Sequence, residues 1–173
     1  MIEYVADAAH YDEVVARMAD VRHDLWLGTA DLKDLYVAAG PHWRRAEPLL
    51  AVLAGLTGRG VSIRLLHAKE PGPNFQADFD RYPSLVDGME RALCPRVHLK
   101  LVVFDLVLVY IGSANLTGAG IGMKGDTRRN FEAGVLTDEP SLVERAIEQF
   151  DAIWRGDHCA ACGRRDYCAD PIA

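Results

Sequence analysis

Apolar and polar positions along this chain fall into short segments of two periodicities. Asp24 to Thr29 carries Leu25, Trp26 and Leu27, and Val61 to His67 places Ile63, Leu65 and Leu66 among polar neighbours; both predict strands. Val97 to Phe104 and Leu106 to Ile111 are apolar runs meeting at Asp105, which predicts two strands joined in a tight hairpin. A further strand is expected near Phe131 to Leu136. Ala6 to Met18, Ala46 to Leu56, Ser84 to Leu93 and Ser141 to Trp154 have the spacing of helices. Ser84 is a candidate N-cap, and Gly60 a candidate C-terminal cap of the second helix, which follows Pro41 and Trp43-Arg44-Arg45. Pro71 to Tyr82, rich in turn formers, predicts a substrate-facing loop. Strands alternating with helices predict an α/β fold.

Composition narrows this picture. The 173 residues suffice for one domain with its own core, and a chain half hydrophobic and a quarter charged is globular. No apolar stretch is long and uninterrupted enough to predict a transmembrane helix. The start Met1-Ile2-Glu3-Tyr4 has no basic segment and no apolar core of a secretory signal, so the cytoplasm is the expected compartment. The formal net charge of -6 argues against a broad basic binding face and for a focused basic cleft.

The chemistry concentrates between His98 and Asn115. His98-Leu99-Lys100, Asp105 and Gly112-Ser113-Ala114-Asn115 spell H-x-K-x4-D-x6-G-S-x-N. On a strand, His98 and Lys100 share a face. A neutral imidazole can attack phosphorus, and a lysine ammonium beside it stabilises charge on the non-bridging oxygens. Ser113 and Asn115, at the end of the second hairpin strand, can donate to the same phosphate. Lys124, Arg128 and Arg129 follow in a glycine-rich loop, Gly118 to Asn130, expected to rim the cleft. The isolated His10, His23, His42 and His67 have no catalytic or metal-like spacing and are expected to be surface or hydrogen-bonded core residues. Trp26, Trp43 and Trp154 are expected to pack.

This motif resembles the signature of the phospholipase D superfamily. Asn130-Phe131-Glu132-Ala133-Gly134-Val135 resembles the family's downstream acidic segment, and Arg59 to Leu66 its helix-to-strand passage. The resemblance spans about residues 1 to 155, most strongly 98 to 134. It implies a mixed sheet flanked by helices, and catalysis by His98, Lys100, Asp105, Ser113, Asn115 and Glu132. Glu132 would accept a hydrogen bond from a catalytic imidazole. The family motif normally occurs twice, and here it occurs once without an internal repeat. The chain therefore looks like the small single-motif nucleases, whose two subunits share one site. One His98 would attack and the other would protonate the leaving oxygen, as a two-fold interface permits.

The last residues depart from that pattern. Cys159, Cys162 and Cys168 form C-x2-C-x5-C in a tail of residues 156 to 173, after a catalytic domain of residues 1 to 155. Cys94 lies just before the first hairpin strand. The spacing resembles the iron–sulfur staple of some RecB-like nucleases, at the level of ligand spacing only. Four thiolates hold either a [4Fe–4S] cluster or a structural Zn2+, and His158 could replace Cys94 in a zinc site. The metal would pin the tail to the start of the catalytic strand and stabilise that strand without touching the phosphate.

The leading expectation is a homodimeric phosphodiesterase cleaving DNA or RNA through a phosphohistidine, without catalytic metal. A phospholipase or phosphatidyl transferase is a second reading, weakened by the lack of a membrane-binding amphipathic helix. A nucleic-acid-binding metal module with little catalysis is a third. An accessory protein could supply the positive surface that the acidic composition lacks.

Overall fold

A computed structural model describes residues 1–33, 35–38, 46–121, 124–125 and 127–169. Nine strands are described: β1 (Ile2–Ala6), β2 (Asp24–Thr29), β3 (Tyr36–Ala38), β4 (Ala46–Pro48), β5 (Ser62–His67), β6 (Met89–Leu93), β7 (Lys100–Phe104), β8 (Leu108–Gly112) and β9 (Ala133–Thr137). The helices are α1 (Leu49–Gly58), α2 (Pro73–Phe79), α3 (Ser84–Gly88) and α4 (Pro140–Trp154). Seven strands form one mixed sheet in the order β1-β9-β8-β7-β2-β5-β6, and β3 pairs with β4 apart from it. β2, β5 and β6 run parallel, whereas β7, β8, β9 and β1 pair antiparallel in succession. This is the mixed sheet flanked by helices that the sequence predicts.

The alternation of strand side chains builds both faces of the core. Leu25 and Leu27 of β2, with Val102 and Phe104 of β7, face α1, Met18 and Leu85. The intervening Trp26, Leu101 and Val103 face Val143, Ala146 and Phe150 of α4. Trp26 and Phe150 lie 5.1 Å apart, and the Arg64 guanidinium sits over Trp26 and Trp154. Both tryptophans thus pack, as expected. His10 and His67 are buried and hydrogen-bonded, at 3.0 Å to the Asp7 carbonyl and 2.8 Å to the Lys69 carbonyl. Trp43, His42 and the Pro41–Arg45 lead-in lie outside the described residues.

Several predicted boundaries are corrected. The N-terminal segment starts with β1, an edge strand on which Ile2 and Tyr4 are exposed and only Val5 is buried, so it carries no burial pattern. The expected helix from Ala6 to Met18 is present as a helical run to Asp20, widened at Tyr11–Val15 and tightened at Ala16–Asp20. The helix predicted from Ala46 begins at Leu49, because Pro48 is extended and ends β4. Gly60 has φ +85°, and Val61 donates to the Leu56 carbonyl, so the expected glycine cap is present. Pro71 to Tyr82 is not all loop: Pro73 opens α2, on which Phe75 and Phe79 stack. The helix predicted from Ser84 to Leu93 stops at Gly88, and Met89–Leu93 is the edge strand β6; Ser84 makes no cap hydrogen bond.

Candidate active site

One end of the sheet collects the polar chemistry. The C-terminal ends of β2, β5, β6, β8 and β1 meet the N-terminal ends of β7 and β9 there. Pairing register decides which residues become neighbours. Thr29 pairs with Lys100, Leu101 with Ile111, and Gly112 with Gly134. His98 precedes β7 and is exposed, whereas Lys100 opens the strand and is buried.

The Lys100 ammonium lies 3.0 Å from His98 Nδ1 and 3.3 Å from its Nε2, and donates to the His98 carbonyl at 2.9 Å. Burial lowers the Lys100 pKa from its ordinary value, and the nearby Glu132 carboxylate works against that shift. The expected histidine–lysine pair is therefore formed within one chain.

Asn115 is oriented from its oxygen side. Its Oδ1 accepts from the Asp31 amide at 3.2 Å and from Thr29 Oγ1 at 3.4 Å. That leaves the amide nitrogen as the donor available to a ligand. Thr29 is fully buried and also accepts from the Leu116 amide, which fixes the backbone after Asn115. Ser113 Oγ donates to Glu132 and accepts from the Ala133 amide at 3.1 Å. Glu132 also accepts from Asn130 Nδ2 at 3.0 Å. Among the described residues its side-chain partners are Ser113 and Asn130.

Asp105 lies apart from the other motif residues. It sits at the opposite end of β7 from His98 and Lys100, in the turn of the hairpin. Its carboxylate accepts the backbone amides of Arg22, His23 and Asp24 at 2.7–3.2 Å. Burial would raise its pKa, but the His23, Asp24 and Arg22 amides outweigh that and hold it below the ordinary 3.8. Its carboxylate thus ties the hairpin turn to the start of β2.

Two depressions flank the motif. A cleft of about 760 Å³ is bordered by Asn115, Lys33, Lys69, Lys124 and Asn130, with Asp31 on its wall. Asp31 holds Lys33 at 3.0 Å and Lys69 at 3.1 Å. Burial would raise the Asp31 pKa, yet its bonds to Lys33 and Lys69 bring it below the ordinary value. On the other side, His98 and Lys100 share a depression of about 300 Å³ with Arg145 and Gln149 of α4. The expected cationic rim divides. Lys124 lines the larger cleft, Arg129 lies beside Phe131 in a separate hollow, and Arg128 is exposed and borders neither.

Sequence reasoning missed Thr29, Asp31, Lys33, Lys69, Arg145 and Gln149. A signal existed for four of them: Thr29 closes β2, Asp31 and Lys33 follow it, and Lys69 follows β5. Ligand-facing residues in open sheets gather just beyond strand C-termini.

Residues 33–154 match the family model described as cardiolipin synthase, PLD-like domain. The chain belongs to the phospholipase D-like family. Among solved structures, NucT from Helicobacter pylori superposes with a TM-score of 0.62 at 12% identity, over 89% of this chain and 96% of that one. Nuc from Salmonella typhimurium, a phospholipase D family member, gives 0.61 at 17% identity, over 89% and 93%. The phosphatidylserine synthase of Haemophilus influenzae gives 0.57 at 14% identity, over 88% of this chain and 38% of its own. At these identities the likeness concerns the phospholipase D-like fold. No curated protein matches the chain. No helix among the described residues is long and apolar enough to cross a membrane.

Proposed function

We propose that this phospholipase D-like protein hydrolyses phosphodiester bonds in nucleic acid, with His98 as the nucleophile. The observation that carries the reading is the buried Lys100 ammonium held 3.0 Å from the His98 ring, at the sheet end that also presents Asn115 and Ser113. His98 attacks phosphorus and the bond to the leaving oxygen breaks. Lys100 and the Asn115 amide balance the charge that develops on the non-bridging oxygens. Water then cleaves the phosphorus–nitrogen bond and releases the histidine. Acid, base and fixed positive charge all come from side chains, so the reading needs no metal in the chemical step.

The leaving oxygen needs a proton donor, and the chain carries one H-x-K motif. The proposal therefore includes a two-fold dimer in which His98 of a second copy is the acid and Glu132 orients an imidazole across the interface. Exposed apolar side chains beside the site support that contact. Phe131 is 95% exposed next to Glu132, and Ile111 and Leu142 are exposed on the wall of the His98 depression. The lysine-bordered cleft beside Asn115 supports a polyanionic substrate, and the overall charge of -6 confines that attraction to the cleft.

The test is cleavage of labelled single- and double-stranded DNA and RNA, with phosphatidylcholine vesicles as a separate arm, in chelator and across pH. Expected is nucleic-acid cleavage with a bell-shaped pH profile, absent in His98→Ala. Lipid hydrolysis without nucleic-acid cleavage would overturn the substrate class. Cleavage that survives His98→Ala would overturn the nucleophile.

A further inference from the structure

The four cysteines have no role in the phosphodiester chemistry, yet the fold gathers them. Cys94 directly follows β6. Its amide donates to the His67 carbonyl at 2.9 Å, and its carbonyl accepts from Val97 at 2.9 Å, closing the turn that leads into His98. After α4 the chain winds through successive three-residue turns. Cys159 donates to Gly156, Cys162 to Cys159, Arg165 to Cys162 and Cys168 to Arg165. This winding returns the tail to Cys94. Cys94, Cys159, Cys162 and His158 line one cavity of about 250 Å³, and Cys168 Sγ stands 4.0 Å from the carbonyl of Leu93, the neighbour of Cys94.

Two further observations point to a ligand. All four thiols are free and partly exposed, unlike the buried small hydrophobes that structural cysteines usually are. The tail also has no buried core of its own. None of its described residues is buried, and Tyr167 is 80% exposed. A run of turns without a core or disulfide is the kind of segment that small domains commonly pin with a metal. The Arg96 guanidinium reaches to 3.8 Å from Cys162 Sγ, so a cation stands beside that thiol.

Among the described residues no group of three or more His, Cys, Asp and Glu side chains is close enough together to hold a single metal ion. A four-iron cluster needs its thiols around a space rather than at a point, and Cys94, Cys159 and Cys162 border one of about 250 Å³.

We propose that Cys94, Cys159, Cys162 and Cys168 ligate a [4Fe–4S] cluster that staples the tail to the turn leading into His98. Each thiol loses its proton on ligation, and the cluster occupies the space between the tail and β6.

The experiment is iron, zinc and acid-labile sulfide analysis of the full chain purified without oxygen, repeated after reconstitution with ferrous iron and sulfide. Expected are about four irons and about four sulfides per chain, with thiolate-to-iron visible absorption. Cys94→Ser and Cys168→Ser lose most of both, whereas His98→Ala keeps them, which separates this site from the phosphodiesterase reading. The wild-type analysis decides even where a cysteine variant fails to fold. One zinc per chain without sulfide, or no stoichiometric metal, overturns the cluster.

Discussion

The carboxylate of Asp105 accepts the backbone amide of His23 at 2.7 Å, bridging residues 82 positions apart in sequence. The same oxygen takes the Asp24 amide at 3.1 Å, so one side chain caps the strand that begins there. The aspartate of the motif thus acts through the frame. It holds β7 in register beside β2, and that register places Lys100 opposite Thr29.

Asp105→Ala is expected to cost about 1–2 kcal/mol of stability, as the loss of a charged acceptor from a partly exposed site. Its folded pKa lies below 3.8, so the carboxylate's contribution is complete above that value and disappears as pH falls through the folded pKa. Denaturant unfolding of wild type and variant should show a gap at neutral pH that closes in acid. Asp105 does not touch the reacting groups, so kcat of the folded fraction should change far less than in His98→Ala.

Lys100→Met should slow turnover by about 10²–10³-fold, the usual loss when one preorganised charge is removed from a transition state. Stability should behave differently. Burial lowers the folded pKa of Lys100 below 10.5, so the charged form is penalised in the fold. That penalty applies below the folded pKa and is relieved as pH rises through it towards 10.5. Wild type should therefore gain on Lys100→Met in alkaline unfolding measurements. An unchanged difference across that range would contradict the burial argument.

Gly112 and Gly134 are paired across β8 and β9, and a Cβ at either would overlap the ring of Tyr110. Gly112→Ala and Gly134→Ala should each destabilise by about 1–3 kcal/mol, as overpacking does. In a double-mutant cycle with Tyr110→Ala the penalty should shrink by at least about 1 kcal/mol, read by chemical denaturation. The glycine of the G-S-x-N segment is on this account a packing requirement of the strand that delivers Ser113.

Lys33→Ala and Lys69→Ala should raise KM for a nucleic-acid substrate several-fold and change kcat less. Each should also reduce the salt dependence of binding by about one phosphate contact. Titration of binding against salt measures this directly. A salt slope unchanged in both variants would place the polyanion elsewhere.

The sequence by itself determined the histidine–lysine pairing and much of the sheet. His98 and Lys100 are two residues apart on a strand start, so local geometry alone suffices to make them neighbours. β2, β5 and the hairpin are legible because buried strands have apolar runs with sharp ends. Edge strands were not: β1 and β6 bury too little to leave a pattern, and α2 hides among turn-forming residues. Tertiary structure decided everything that depends on register between distant segments. It brought Thr29 and Asp31 onto Asn115, which are 84 or more positions away. It set Asp105 at the far end of β7, because the five steps from Lys100 to Asp105 span ~16 Å whatever the motif spacing. It gave Glu132 to Ser113 and Asn130, and brought the cysteine tail back to Cys94. Spacing along a chain fixes which residues share a strand face. Only the pairing of strands, set by burial on both sides of the sheet, fixes which strand ends lie side by side.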